Sequence, residues 1–133
     1  MSVGPGVDDV LLRVGGSPEN VRTARLVAAA VARREGLPED RVDEVRIAVG
    51  EAVTWAMQGV PDHAVQVVLG PGGTGTGEFV VRVGGGTPAA GGVVEPGTDD
   101  VEGLAVALLR GLADRVSIED GTTVLTWSDV PPT

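Results

Sequence analysis

Two stretches with helical spacing of apolar residues follow each other directly in the N-terminal half of the chain. The first begins at Ser17-Pro18-Glu19, where Ser suits the N-cap, Pro the first helical position and Glu the first turn. The second begins with the similar signal Leu37-Pro38-Glu39-Asp40. The sequence therefore predicts one helix from Ser17 to about Arg34 and another from Pro38 to Gln58.

Short runs rich in β-branched residues lie on either side of these helices and predict five strands. The predicted strands are Val10–Val14, Val65–Leu69, Phe79–Val83, Arg115–Ile118 and Thr122–Trp127. The last two are joined by Glu119-Asp120-Gly121, which indicates a tight hairpin.

A third helix is predicted from Val101 to Ala113, with an apolar face formed by Leu104, Ala107, Leu108 and Leu112. The stretch from Gly84 to Asp100 is rich in Gly, Pro and Ala and is predicted to be a loop. The resulting order is β-α-α-β-β-loop-α-β-β. It predicts an α/β (α+β) two-layer sandwich, in which three helices cover one face of a mixed, mostly antiparallel sheet.

The length of 133 residues suits a single domain spanning residues 1–133, with the Pro-rich residues 129–133 as a flexible tail. No stretch is long and apolar enough for a membrane span, and the first residues do not form a secretory signal. We therefore expect a cytoplasmic protein.

The composition excludes several classes of function. There is no cysteine and only one histidine, so we expect no metal site of thiolates or paired histidines. All ten basic residues are arginines, so the lysine of a P-loop is missing. The net charge of -9 repels nucleic acids and anionic membranes, and it favours a basic protein partner.

Three segments together resemble a known family. They are Val45–Ala56 (VRIAVGEAVTWA), Gly103–Val106 (GLAV) and the end of the chain with Ala113-Asp114-Arg115-Val116 and Gly121-Thr122-Thr123-Val124. The sequence is similar here to the anti-sigma-factor serine kinases of the GHKL, or histidine kinase-like ATPase, superfamily. The resemblance extends from Val10 to Trp127 and implies the same two-layer fold.

The family's helix reads Glu-Ala-x-x-Asn-Ala, and its Asn holds the magnesium ion that bridges the ATP phosphates. The resemblance places Glu51 at the catalytic carboxylate and Trp55 at the position of that Asn. An indole offers no oxygen ligand to magnesium. A single Trp is ordinarily a core or interface anchor. At this position we expect Trp55 to plug the nucleotide site.

Two further family motifs are also altered. The adenine-reading Asp of the Asp-x-Gly-x-Gly motif corresponds to Val83, and Gly85 corresponds to the first Gly. In the Gly-x-Gly motif beside the phosphates, Gly103 is kept but the second Gly is Ala105, whose β-carbon hinders a close backbone approach. Thr123 also matches the family. We therefore expect a degenerate pocket that binds no cofactor.

Proteins of this family bind a sigma factor, and also an antagonist of the STAS type that many of them phosphorylate on serine. Arg25, with its neighbour Arg22, matches the first-helix position that contacts both partners. The resemblance thus implies a bacterial, dimeric regulator of partner switching that acts by binding proteins. The alternative is a divergent serine kinase that still uses ATP and magnesium.

Overall fold

The computed structural model describes residues 8–59, 63–72, 77–85 and 106–128. Residues 106–110 in this part of the chain are also helical. The elements with full bounds are β1 (Val10–Val14), α1 (Glu19–Arg34), α2 (Glu39–Gly59), β2 (Val65–Pro71), β3 (Phe79–Gly85), β4 (Arg115–Glu119) and β5 (Thr122–Trp127).

The five strands form one sheet in the order β1-β2-β3-β5-β4. Every neighbouring pair is antiparallel, so the sheet is not mixed over the described strands. β4 and β5 are joined by Asp120 and Gly121, which both have positive φ angles of 51° and 79°. A two-residue turn of this kind matches the twist of a hairpin, as the sequence predicted. The predicted α/β architecture is confirmed.

The helices and the sheet share one apolar core, because alternate residues of each strand point to the same face. On β3 these inward residues are Phe79, Val81 and Val83, which are at most 1% exposed. α1 packs over β1 and β2, and α2 packs over β2 and β3. The helical spacing of apolar residues predicted for the second helix is confirmed in α2, where Val42, Val45, Val49, Ala52 and Val53 are fully buried. No described helix is long and apolar enough to cross a membrane.

Several boundaries differ from the sequence prediction: β2 ends at Pro71 and not at Leu69, and β4 ends at Glu119 and not at Ile118. Ser17 does not cap α1 through its side chain: the cap position is Pro18, and no side-chain capping hydrogen bond is present. β3 continues beyond Val83, because Gly84 and Gly85 pair with Gln66 and Val65 of β2. The two glycines have weak strand propensity, but the β2 ladder holds them in the sheet.

The predicted apolar face of the third helix was wrong at Ala107 and Leu108, whereas Leu112 is partly buried against the core as predicted. Ala107 and Leu108 are exposed, while Leu109 and Ala113 are 1% and 6% exposed and belong to the core. The helix also ends at residue 110, earlier than Ala113, and is followed by a turn. Neighbouring leucines on this segment made the helical register ambiguous. Leu104 lies outside the described residues, as do the loop residues 86–100 and the tail 129–133.

An ionic network around Asp114 joins α2 to the end of the sheet. Its carboxylate accepts hydrogen bonds from Arg41 of α2 at 2.7 Å and from the Ser128 backbone N–H at 2.8 Å. Arg41 also binds Glu44 at 3.0 Å. The Ser128 hydrogen bond and then the Arg41 pairing hold the pKa of Asp114 below its usual range. The hydrogen bonds to Glu44 and Asp114 raise the pKa of Arg41.

We expect Asp114→Ala to lower the free energy of unfolding by about 1–2 kcal/mol, because it removes two charge-assisted hydrogen bonds that are partly exposed to solvent. The folded-state pKa of Asp114 is lowered, so this contribution is complete above about pH 4 and is lost as the pH falls through the folded-state pKa. Urea unfolding at neutral pH and near pH 3 measures both effects.

Asp43→Ala is the matched control, because among the described residues Asp43 pairs with the exposed Arg46 of its own helix, at 2.6 Å, and with no other arginine. Its expected cost is below about 0.5 kcal/mol. Equal losses of unfolding free energy in the two variants would contradict the stabilising role of the Asp114 carboxylate. So would a loss in Asp114→Ala that is as large at pH 3 as at neutral pH.

Candidate functional site

One flank of α2 carries Glu51 and Trp55, the two residues of this helix that the sequence assigned to a nucleotide pocket. Arg41 and Glu44 lie on the same flank at helical spacing. Arg41, near the N-terminal end of the helix, contacts Asp114 in the segment that precedes β4. Glu51 is exposed and Trp55 is half-buried. The predicted catalytic carboxylate and the predicted plug therefore lie one helical turn apart on the same side of the helix.

Val83 and Thr123 are brought together by the sheet. They are directly opposed in the β3–β5 ladder, on the face that the helices cover. Val83 is 1% exposed and Thr123 is 4% exposed. Gly85 stands two residues beyond Val83, at the end of β3 and opposite Val65. At this position the helix-covered face of the sheet is thus apolar apart from the Thr123 hydroxyl.

The described residues do not fit magnesium-ATP. Trp55 has no oxygen to offer a magnesium ion, and Val83 has no acceptor for an adenine amino group. The described part of the chain holds no cluster of three His, Cys, Asp or Glu residues that suits a metal ion. Gly103 and Ala105, predicted to flank the phosphates, lie outside the described residues.

The predicted partner surface is on α1, where Arg22 and Arg25 are exposed. Arg25 is not a simple exposed helix residue, however, because its guanidinium lies against Gly50 of α2. A β-carbon at Gly50 would lie 2.9 Å from Nη2 of Arg25 and 3.0 Å from Cζ, and closer still to Nε. The missing side chain of Gly50 therefore leaves the space that Arg25 occupies, one residue before Glu51.

We expect Gly50→Ala to move the Arg25 side chain while leaving the fold intact. The atoms nearest to the added methyl group all belong to the mobile end of Arg25. Replacing a helix-interior Gly by Ala ordinarily stabilises the helix by about 0.5–1 kcal/mol. Thermal unfolding should therefore show equal or higher stability, and the NMR signal of Arg25 Nε should shift. A clear loss of stability would contradict the packing described.

Sequence reasoning missed the structural roles of Gly50 and Asp114, although both lie inside the motifs that carried the resemblance. An isolated Gly in a helix with otherwise good propensity is a signal of close packing, and Gly50 is such a residue. The partners Arg41 and Asp114 are 73 positions apart, so no local pattern connects them.

Comparison with known proteins supports the fold. A search of curated proteins found no significant match. The family profile described as "Histidine kinase-like ATPase domain" matches residues 15–128, which is most of the chain. This span contains α1, α2 and β2–β5. The chain therefore belongs to the histidine kinase-like ATPase domain family.

Proposed function

We propose that this protein is a regulator that works by binding other proteins and that has lost nucleotide binding and kinase activity. Its partners are a sigma factor, a STAS-type antagonist of anti-sigma action, or both. The surface that binds them is centred on Arg22 and Arg25 of α1. This would make it an anti-sigma-like component of a partner-switching circuit.

The observation that carries the proposal is that these two arginines are exposed and have no ion-pair partner in the described part of the chain. The chain has 19 acidic and ten basic residues, yet neither Arg22 nor Arg25 has a carboxylate partner among the described residues. The Arg25 guanidinium also occupies the space that Gly50 leaves open on α2. Arginine is one of the residues enriched in protein-binding hot spots.

The degenerate pocket supports the second half of the proposal. Two of the groups that a family kinase needs for ATP, the magnesium ligand and the adenine acceptor, are replaced by Trp55 and Val83. One observation favours the alternative, a divergent serine kinase: Glu51 is exposed on the α2 flank, as a carboxylate that activates a substrate hydroxyl has to be. The proposed regulator depends on Arg25 and not on Glu51, whereas the kinase depends on Glu51 for catalysis.

We expect Arg25→Glu to weaken partner binding by at least about 2 kcal/mol, or roughly thirtyfold in Kd, because it reverses the charge at the centre of the contact. Glu51→Ala should leave binding unchanged. Binding to the sigma factors and STAS-domain proteins of the same genome, measured by biolayer interferometry, tests both variants.

Arg33→Glu is the matched control, since Arg33 lies on the same helix but binds Glu39 at 3.0 Å. It should change the Kd less than threefold, because an exposed ion pair contributes little. Normal partner binding by Arg25→Glu would contradict the proposal that the partner binds at this surface. Phosphorylation of a STAS-domain serine by the wild type with magnesium-ATP, lost in Glu51→Ala, would establish the kinase.

We further propose that the protein forms a dimer through β1. This strand has a neighbour on only one side, β2, so its other edge is open among the described residues. Light scattering at high protein concentration should give twice the monomer mass, and a strict monomer would contradict this pairing.

A further inference from the structure

The sheet has a second face, opposite the helices, that the described helices do not cover. A row of directly opposed residues crosses all five strands on this outer sheet face: Leu11, Val68, Arg82, Val124 and Ser117. Leu11 is 53% exposed. Arg13, two residues along β1, is also exposed there. The outer sheet face thus mixes apolar and cationic side chains, which is a composition enriched in protein interfaces.

A groove of about 680 Å³ runs over the part of this face formed by β3, β5 and β4. Val80 and Val124 contribute apolar lining, and Arg82, Arg110 and Arg115 contribute positive charge. Its shape and lining suit an extended peptide that buries small apolar side chains and places carboxylates beside the arginines.

Two of the three acidic residues of the groove already have an arginine partner. Glu78 forms an ion pair with Arg115. Asp114 binds Arg41 and the Ser128 backbone, and Glu119 accepts a hydrogen bond from Ser117 at 3.3 Å.

By contrast, Arg82 and Arg110 have no carboxylate partner among the described residues. Glu119 is bound to a neutral hydroxyl, so among the described residues the groove keeps two unneutralised positive charges against one negative charge.

We infer that the outer sheet face binds an acidic peptide segment of a partner protein, held by Arg82 and Arg110 over the apolar floor of the groove. Electrostatic complementarity identifies the occupant. A second copy placed symmetrically on this face would bring the same unpaired arginines toward each other.

This surface is independent of the proposed function. α1 packs on the other side of the sheet, against β1 and β2. A partner on α1 and an acidic segment on the outer sheet face can therefore be bound at the same time, and loss of one contact leaves the other in place.

The test uses the full chain and a fluorescein-labelled peptide of about eight residues in which glutamate alternates with leucine, titrated at low salt, about 50 mM. Fluorescence anisotropy measures the Kd, and amide chemical-shift changes locate the peptide. We expect binding in the micromolar range and shifts on β3, β5 and β4. Arg82→Glu/Arg110→Glu should weaken binding at least tenfold.

Arg33→Glu/Arg46→Glu is the matched control, because it changes the net charge equally at two exposed ion pairs away from the groove. It should weaken binding less than threefold. If the first double variant does not fold, Arg82→Gln replaces it, with an expected loss of at least threefold.

Several results would overturn the inference. These are equal losses in the two double variants, no binding at about millimolar protein, or equal binding of a peptide in which lysine replaces glutamate. Tighter binding of a thymidine oligonucleotide would also overturn it. Shifts confined to α1 would do so too, while supporting the separate α1 surface. Normal peptide binding by Arg25→Glu, together with lost sigma-factor binding, would show that the two surfaces are distinct.

Discussion

Trp127→Ala is expected to lower the free energy of unfolding by about 4–6 kcal/mol, a large part of the stability of a domain of this size. Trp127 is fully buried at the end of β5, and its ring lies 6.1 Å from that of Phe79. Its indole N–H donates to the backbone oxygen of Leu112 at 3.0 Å. The substitution leaves a cavity and an unpaired carbonyl where the segment before β4 meets the sheet.

Two variants separate these contributions in guanidinium unfolding at pH 7. Trp127→Phe keeps most of the ring volume but loses the hydrogen bond to Leu112, so its expected cost is about 1–3 kcal/mol. Trp55→Ala removes the chain's other tryptophan, which is only half-buried on α2, and should cost no more than about 2 kcal/mol. A larger loss for Trp55→Ala than for Trp127→Ala would contradict the placement of the two side chains.

The sequence predicted the framework of the fold well, because the helices and strands carry clear periodicity and clear start signals. α2 is an example: its apolar spacing and Pro38-Glu39 start matched the structure within a residue or two. The third helix was less predictable, since leucines lie on more than one of its sides and only packing selects Leu109 for the core. Gly84 and Gly85 entered the sheet through pairing with β2, which their own propensity does not reveal.

The candidate site was predictable only residue by residue. The resemblance placed Val83 and Thr123 in separate motifs, and the β3–β5 ladder then made them direct neighbours. The contact between Arg25 and Gly50 depends on how α1 crosses α2, which no local pattern contains. The outer sheet face was equally hidden, because it requires the strand order β1-β2-β3-β5-β4.

Nucleotide affinity is the second property for which we expect a large effect. Hydrogen bonds to charged groups contribute about 1.5–3 kcal/mol, and an unpaired buried amine costs about 1–3 kcal/mol. By the family resemblance, Trp55 and Val83 stand at the positions of a magnesium ligand and an adenine acceptor, and Ala105 at that of a phosphate-loop glycine. Since each 1.4 kcal/mol is tenfold in Kd, we expect these replacements together to move a micromolar site beyond the millimolar range.

The most direct test of the central claim, a regulator without a nucleotide site, is isothermal titration calorimetry of the full chain with magnesium-ATP. Magnesium alone and ADP serve as controls, and a thermal unfolding curve shows that the sample is folded. We predict no saturable heat up to about 1 mM ATP and no rise in unfolding temperature at that concentration. Saturable binding with a micromolar Kd would contradict the claim and favour the kinase.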